Sequence, residues 1–190
     1  MEGAPAPLIP ALTFTPRESL VDHPRLAAEL EALHPHCFGW AMACSDRRRE
    51  DAEDLLHDVY VKVLSGQAVY SGRSTFRTWV FGIIRLTASE HRRRRRLHAV
   101  LGMRTELRID RPVPAPAPDA RAIENDRAAR THRALGRLSG RQREVLQLVF
   151  YHDLTIEEAA TIMDVSLGSA RTHYARGKAR LATLLSGERD

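Results

Sequence analysis

A chain of 190 residues with 43% hydrophobic and 28% charged side chains has the make-up of a globular protein, with room for one ordinary domain or two small ones. No apolar run reaches the roughly 18 residues that a membrane span needs, and Met1 to Pro10 has no basic stretch ahead of an apolar core. Neither a span nor a secretory leader is therefore expected, and the cytoplasm is the expected compartment. The net charge of +5 invites a polyanionic partner, and the charge is segregated. Arg92 to Arg96 is an unbroken run of five arginines, whereas Asp51, Glu53, Asp54 and Asp58 crowd together, which points to two partners rather than one.

Residues 1–22 are rich in Pro, Ala and Gly without periodicity and read as a flexible tail. A domain over residues 23–98 follows, with three helical patterns. The first, about Pro24 to Ala43, is loose, with Leu26, Leu30, Leu33, Phe38 and Trp40 as candidate core. The only two cysteines, Cys37 and Cys44, read as small buried side chains. Together with His34 and His36 they match no standard zinc spacing, so neither a metal site nor a cofactor is expected.

The second pattern runs from about Arg49 to Leu64. Ala52, Leu55, Leu56, Val59 and Val63 recur at the spacing of one apolar helix face. Asp51, Asp54 and Asp58 fall on a different face. Carboxylates in a first helical turn are favoured by the dipole, which accounts for Asp51 and Asp54 but not for Asp58, two turns in. An acidic docking surface is the alternative. Ser65 to Thr75 lacks periodicity and forms a loop containing Tyr70.

The third pattern starts at about Phe76 and runs past Arg93, with Phe76, Trp79, Val80, Ile83 and Ile84 as its expected buried face. Arg85, Ser89, Arg92 and Arg96 form a largely basic stripe at helical spacing, suited to salt-sensitive contacts with phosphates. Aromatic side chains beside basic ones suit the trapping of unpaired bases. Trp79 fits that role and plain core packing equally well.

Residues 99–127 are expected to be a linker. Its centre, Arg111 to Pro118, alternates Pro with small residues and cannot continue a helix. Helical signals resume near Ala120, and a second domain is expected over 128–187. There Ser139 with Gln142, and Thr155 with Glu158, have capping-box spacing. Leu138, Val145, Leu146, Val149 and Phe150 give the helix after Ser139 an apolar face. A short helix over Ile156 to Met163, a tight turn at Asp164-Val165-Ser166 and a new helix near Leu167 have helix-turn-helix geometry. In the last helix Ala170, Tyr174, Gly177 and Leu181 should face inward, leaving Ser169, Arg171, Thr172, His173 and Arg176 for a DNA groove. The expected fold is thus all-α, with two small helical domains joined by a flexible Pro-rich linker, the second a helix-turn-helix domain.

Both domains resemble parts of a known family. Asp51-Ala-Glu-Asp-Leu-Leu-His-Asp-Val-Tyr-Val-Lys-Val-Leu64, then Phe76-Arg-Thr-Trp-Val-Phe-Gly-Ile-Ile-Arg85 and the arginine run, resemble region 2 of the extracytoplasmic-function sigma factors. Leu138 to Leu148 and Leu154 to Tyr174 resemble their region 4. The resemblance implies an alternative sigma factor that binds core RNA polymerase and directs promoter-specific initiation. Asp51, Asp54, His57 and Asp58 match positions that dock on the coiled-coil clamp of the polymerase. Arg77, Trp79 and Arg85 match the helix tied to −10 melting, and the Tyr70 loop would hold the melted strand. Region 4 would read the −35 element and bind the polymerase flap. Many members are held by an anti-sigma factor, which makes one a candidate partner here. Two departures stand out: Leu86 and Glu90 replace the usual Asn and Asp of the third helix, and the recognition helix reads Ser169-Ala-Arg-Thr-His173 in place of Thr-Val-Lys-Ser-Arg.

A stand-alone regulator is the alternative, because region 4 also resembles the DNA-binding domains of response regulators and quorum sensors. Those carry an α/β domain in front, unlike the helical half seen here. No nucleotide site, paired catalytic carboxylates or nucleophile with its base is visible, so no enzymatic activity is expected.

Overall fold

The computed structural model describes residues 23–100 and 121–187. The expected tail (1–22) and the Pro-rich stretch (111–118) lie outside the described residues. Among the described residues all regular structure is helical: α1 (His23–Cys44), α2 (Arg49–Leu64), α3 (Phe76–Val100), α4 (Arg121–Gly136), α5 (Gly140–Tyr151), α6 (Ile156–Met163) and α7 (Leu167–Ser186). Helix α4 thus begins inside the segment expected to be linker. The chain divides into two compact units, taken in turn.

In the first unit α1, α2 and α3 pack against one another. The apolar face of α2 lies where its period puts it: Ala52, Leu55, Leu56, Val59 and Val63 are all buried. Helix α3 is different. Thr78, Val80, Phe81, Gly82, Ile83 and Ile84 are buried on every side, so this segment is the axis of the unit rather than a one-faced helix. Phe81 was absent from the expected face, yet it is fully buried and stacks on Trp40 with ring centroids 6.0 Å apart. The Trp40 indole N–H donates to the Phe81 carbonyl at 3.1 Å, which gives the buried indole its required partner and ties α1 to α3. Phe76 and Trp79, expected in the core, are only half-buried, as are Leu26, Leu33 and Phe38 of α1.

In the second unit α4 and α5 pack against α7. The first capping box is present: Gln142 Oε1 accepts from the Ser139 N–H at 3.3 Å. Val145, Leu146 and Leu148 are buried on α5, but Phe150, expected on that face, is 59% exposed. It stacks on Tyr174 of α7 with centroids 5.8 Å apart. Helices α5 and α7 meet at Gly177, where an added Cβ would lie 3.2 Å from both Gln142 Cβ and Leu146 Cδ1. Any larger residue here would push Gln142 and Leu146 back by a few tenths of an ångström or more.

Candidate nucleic-acid and polymerase interfaces

The acidic residues of α2 do not stand alone. Asp51 accepts from Arg95 Nη1 of α3 at 2.7 Å and also pairs with Arg48. His91 Nε2, again on α3, lies 2.8 Å from Asp58 Oδ2. Asp54 and His57 are exposed. Asp51, Asp54, His57 and Asp58 do come together, but they line one groove with His91, Arg94 and Arg95. Sequence reading missed these basic members. His91 and Arg95 are 33 and 44 residues from their partners in the chain, beyond any helical-spacing rule. Val61, 47% exposed and one turn beyond His57, adds an apolar spot to the same side of α2.

The loop before α3 is closed by two hydroxyls. The Tyr70 O–H donates to the Ser74 carbonyl, and Thr75 Oγ1 caps α3 by accepting from the Thr78 N–H at 3.1 Å. The Tyr70 ring lies 5.5 Å from Phe76, edge to face, and 5.2 Å from Trp79. Phe76 and Trp79 are 5.5 Å apart. The result is an aromatic trio at the surface, with Trp79 half-buried and the neighbouring Val69 68% exposed.

The stripe on α3 is divided. Ser89, Arg92 and Arg96 line a shallow groove with Arg93, Leu97 and Val100. Arg92 also donates to the Cys44 carbonyl at 3.1 Å, so it caps the last turn of α1 as well. Arg85 is half-buried. Arg77 is turned onto Phe81, its guanidinium carbon 5.5 Å from the ring centroid, and is half-buried there. Packing thus accounts for Arg77 as well as any contact with DNA does. Of the two departures in α3, Glu90 has a structural role. Glu90 pairs with Lys62 Nζ at 2.7 Å, which donates to Thr87 Oγ1 as well at 3.1 Å. Leu86 is half-buried.

A small polar cluster joins α1 and α2. Burial pushes the Cys37 thiol up to about 11, against a lesser opposing effect of its hydrogen bond with Tyr60. Burial raises the Tyr60 phenol as well, helped by the adjacent Cys37. His34 Nδ1 lies 3.0 Å from the Tyr60 hydroxyl. Among the described residues no three His, Cys, Asp or Glu side chains are placed to hold a metal ion.

The helix-turn-helix of α6 and α7 follows from local chemistry. Glu158 accepts from the Thr155 N–H at 2.9 Å, and Thr155 Oγ1 accepts from the Glu158 N–H at 3.1 Å, a reciprocal capping box opening α6. Asp164, at φ 52°, ends it in the left-handed region. The Val165 N–H donates to the Ala160 carbonyl and the Asp164 N–H to that of Thr161, the bond pair of a Schellman turn. Ser166 then caps α7 by accepting from the Ser169 N–H at 3.2 Å.

On α7 Ala170 and Gly177 are buried, while Tyr174 and Leu181, expected to face inward, are half-buried. Arg171, Thr172 and Arg176 are exposed and His173 is half-buried. The hydroxyls are partly committed: Ser169 Oγ accepts from Ser166 Oγ at 2.9 Å, and Thr172 Oγ1 donates to the Gly168 carbonyl at 2.9 Å. Arg171 and Arg176 therefore carry most of the expected reading surface, with exposed Lys178 and Arg180 extending its charge.

Two family models match different parts of the chain. The sigma-70 region 2 family model matches residues 30–98, and the sigma-70 region 4 model matches residues 128–181. The chain is 28% identical over 134 residues to the ECF RNA polymerase sigma factor SigX of Bacillus subtilis, covering 68% of each chain. It is 26% identical over 141 residues to the ECF sigma factor SigM of Mycobacterium tuberculosis, covering 74% of this chain and 67% of the relative. In fold it is similar to the sigma factor RpoE of Bartonella quintana, solved with the anti-sigma factor NepR. That match has a TM-score of 0.64 at 24% identity and covers 87% of this chain and 98% of the other. It is also similar to CnrH, solved with the cytosolic domain of CnrY, with a TM-score of 0.59 at 22% identity over 86% and 90% of the two chains.

Proposed function

The chain belongs to the sigma-70 family and is an extracytoplasmic-function sigma factor, and from that premise we propose how its two units divide the work of promoter-specific initiation. As an alternative sigma factor it binds core RNA polymerase and promoter DNA and directs transcription initiation. The proposal concerns which surfaces do so. In our reading residues 23–98 form the docking and −10 domain, 99–127 the linker and 128–187 the −35 domain.

The observation that carries the reading is the gathering of Asp51, Asp54, His57 and Asp58 along one groove of α2. The carboxylates of this mixed-charge groove suit a basic segment of the polymerase clamp, with Asp54 the most open of them, and the exposed Val61 beside it offers apolar area at the edge. The trio of Tyr70, Phe76 and Trp79 offers stacking faces to the unpaired −10 strand, and Ser89, Arg92 and Arg96 offer the adjoining phosphate contacts. Arg85 would support that surface from a half-buried position, and Arg77 would hold it from beneath through Phe81.

In the second unit Ser169, Arg171, Thr172, His173 and Arg176 would meet the −35 major groove. Arginine supplies bidentate guanine or phosphate contacts, and the two hydroxyls retain acceptor lone pairs for the same surface. The flap of the polymerase is the second docking partner of this unit. Sigma factors are regulators without enzymatic activity, and we assign none here. The two solved neighbours are held by an anti-sigma factor and by a cytosolic domain of another protein, and we include an anti-sigma factor among the partners. The cytoplasm is the compartment this work requires.

The test is reconstitution. Purified chain mixed with core RNA polymerase should co-elute with it and support transcription only from templates carrying a cognate promoter. Failure to associate with core overturns the reading.

A further inference from the structure

The aliphatic hydroxyls of α7 fall into two groups. Thr172, Thr183 and Ser186 each donate to the carbonyl one turn back, that of Gly168, Ala179 and Ala182, at 2.9, 3.1 and 2.9 Å. Their protons are spent inside the helix. Ser169 stands in the first turn, so the residue one turn back, Val165, lies outside the helix. Its oxygen instead accepts from Ser166 Oγ at 2.9 Å, and the Ser166 oxygen in return accepts from the Ser169 N–H at 3.2 Å. Ser166 has a single hydroxyl proton, and this bond uses it. Ser169 keeps its own proton for a partner, on an exposed side chain at the end of α7 assigned above to DNA.

We propose that Ser166, outside the set of groove-facing residues named above, is a positioning residue that fixes Ser169 as a hydrogen-bond donor toward promoter DNA. The inference rests on the reading of α7 as the −35 helix. An unconstrained hydroxyl gives or takes with equal ease, and so tolerates either kind of base edge. With its oxygen held by Ser166, Ser169 has a proton that needs an acceptor. Guanine O6 or N7, adenine N7, thymine O4 and a phosphate oxygen all supply one. An amino edge of adenine or cytosine can use the remaining lone pair of Ser169, but it leaves the proton unpaired once water is excluded, which costs affinity. The residue that starts the helix thus also sets the polarity of a DNA contact it does not itself make.

The experiment uses holoenzyme reconstituted from the full chain and core RNA polymerase. Duplexes randomised over the −35 region are selected on it, and affinity for the duplex most enriched by wild type is read by fluorescence anisotropy. Ser166→Asp keeps a strong helix cap but has no proton to give, so Ser169 must donate to the carboxylate and turn lone pairs outward. The added charge weakens binding on its own account, so the same change is also made in a Ser169→Ala background and the two effects are compared. Ser166→Asp should weaken binding about three- to tenfold more with serine at 169 than with alanine there. Ser166→Thr, which both caps and donates, should bind as wild type does. Equal weakening in the two backgrounds, or a Ser166→Thr variant as weak as Ser166→Asp, overturns the proposal. The acceptor is identified by Ser169→Ala. A base edge predicts that the selected sequence relaxes at one position. A phosphate predicts an unaltered sequence, with the loss reproduced by one methylphosphonate in the backbone. If Ser169→Ala binds like wild type while Arg171→Ala weakens binding, the role of Ser166 alone fails. If neither weakens binding, the −35 reading of α7 fails and the proposal with it.

Discussion

Gly177 of α7 lies against Gln142 of α5 so closely that a Cβ on the glycine would sit 3.2 Å from the Gln142 Cβ. This contact holds the recognition helix against its support. Gly177→Val should therefore destabilise the second unit by about 1–3 kcal/mol, as overpacking does. Gly168, in the first turn of the same helix, has nothing within 4 Å of its Cβ position. Gly168→Ala should stabilise by about 0.5–1 kcal/mol through helix propensity. Thermal unfolding of the two variants checks the contrast, and equal effects would reject the close-packing account.

Docking on polymerase offers a second prediction. Asp54 and His57 are exposed members of the α2 groove and lie outside the two α2–α3 pairs. Asp54→Ala with His57→Ala should weaken core binding by about 1–2 kcal/mol, roughly tenfold, while leaving the melting temperature within a few degrees of wild type. Unchanged affinity in a titration against core polymerase would remove this face from the interface.

For the −35 contact the measurable is salt dependence. If Arg171 and Arg176 each neutralise a phosphate, Arg171→Ala and Arg176→Ala should each lower the slope of log affinity against log salt by about 1. A variant that weakens binding at an unaltered slope reads a base instead, and its loss should depend on promoter sequence.

A fourth prediction concerns alkaline pH. The Cys37 thiol is raised by burial to about 11 from its ordinary 9.0, and Tyr60 is raised as well. Between these values the unfolded chain releases the thiol proton and the folded chain keeps it. Stability is thus fully present below pH 9 and falls as pH rises toward 11, by up to about 1.4 kcal/mol per pH unit for the one group. Denaturant titrations at pH 8 and pH 10.5 should show the loss, and Cys37→Ala should reduce it. For the same reason thiol reagents at pH 8 should modify half-buried Cys44 faster than fully buried Cys37.

Some of this was legible in the sequence and some was not, for physical reasons. Helix α2 was readable because one face is buried and the other wet, so its period reports the packing directly. The capping boxes at Ser139 and Thr155 were readable because a cap is a local event spanning three residues. Phe81 was missed because α3 is buried all round from Val80 to Ile84, and a helix without a wet face has no period to read. Phe150 misled in the opposite direction: it stands at i+4 from buried Leu146, but in the last turn of α5, where it stacks on Tyr174 in the open. At the candidate site the residue types were visible, but their pairing was not. Nothing in the spacing of Asp51 or Asp58 reveals that α3 returns across α2 to place Arg95 and His91 beside them.

The chain's two tryptophans are Trp40 and Trp79, and both belong to the first unit. One indole is sealed between α1 and α3, while the other lies half-open beside Tyr70. Tryptophan emission therefore reports from the three-helix unit and splits into two channels. The blue-edge component of Trp40 tracks whether the three-helix unit is folded, and the redder component of Trp79 tracks what stacks upon the loop. A single unlabelled sample can follow melting of the unit and capture of an unpaired base at once, with Trp79→Phe separating the two signals.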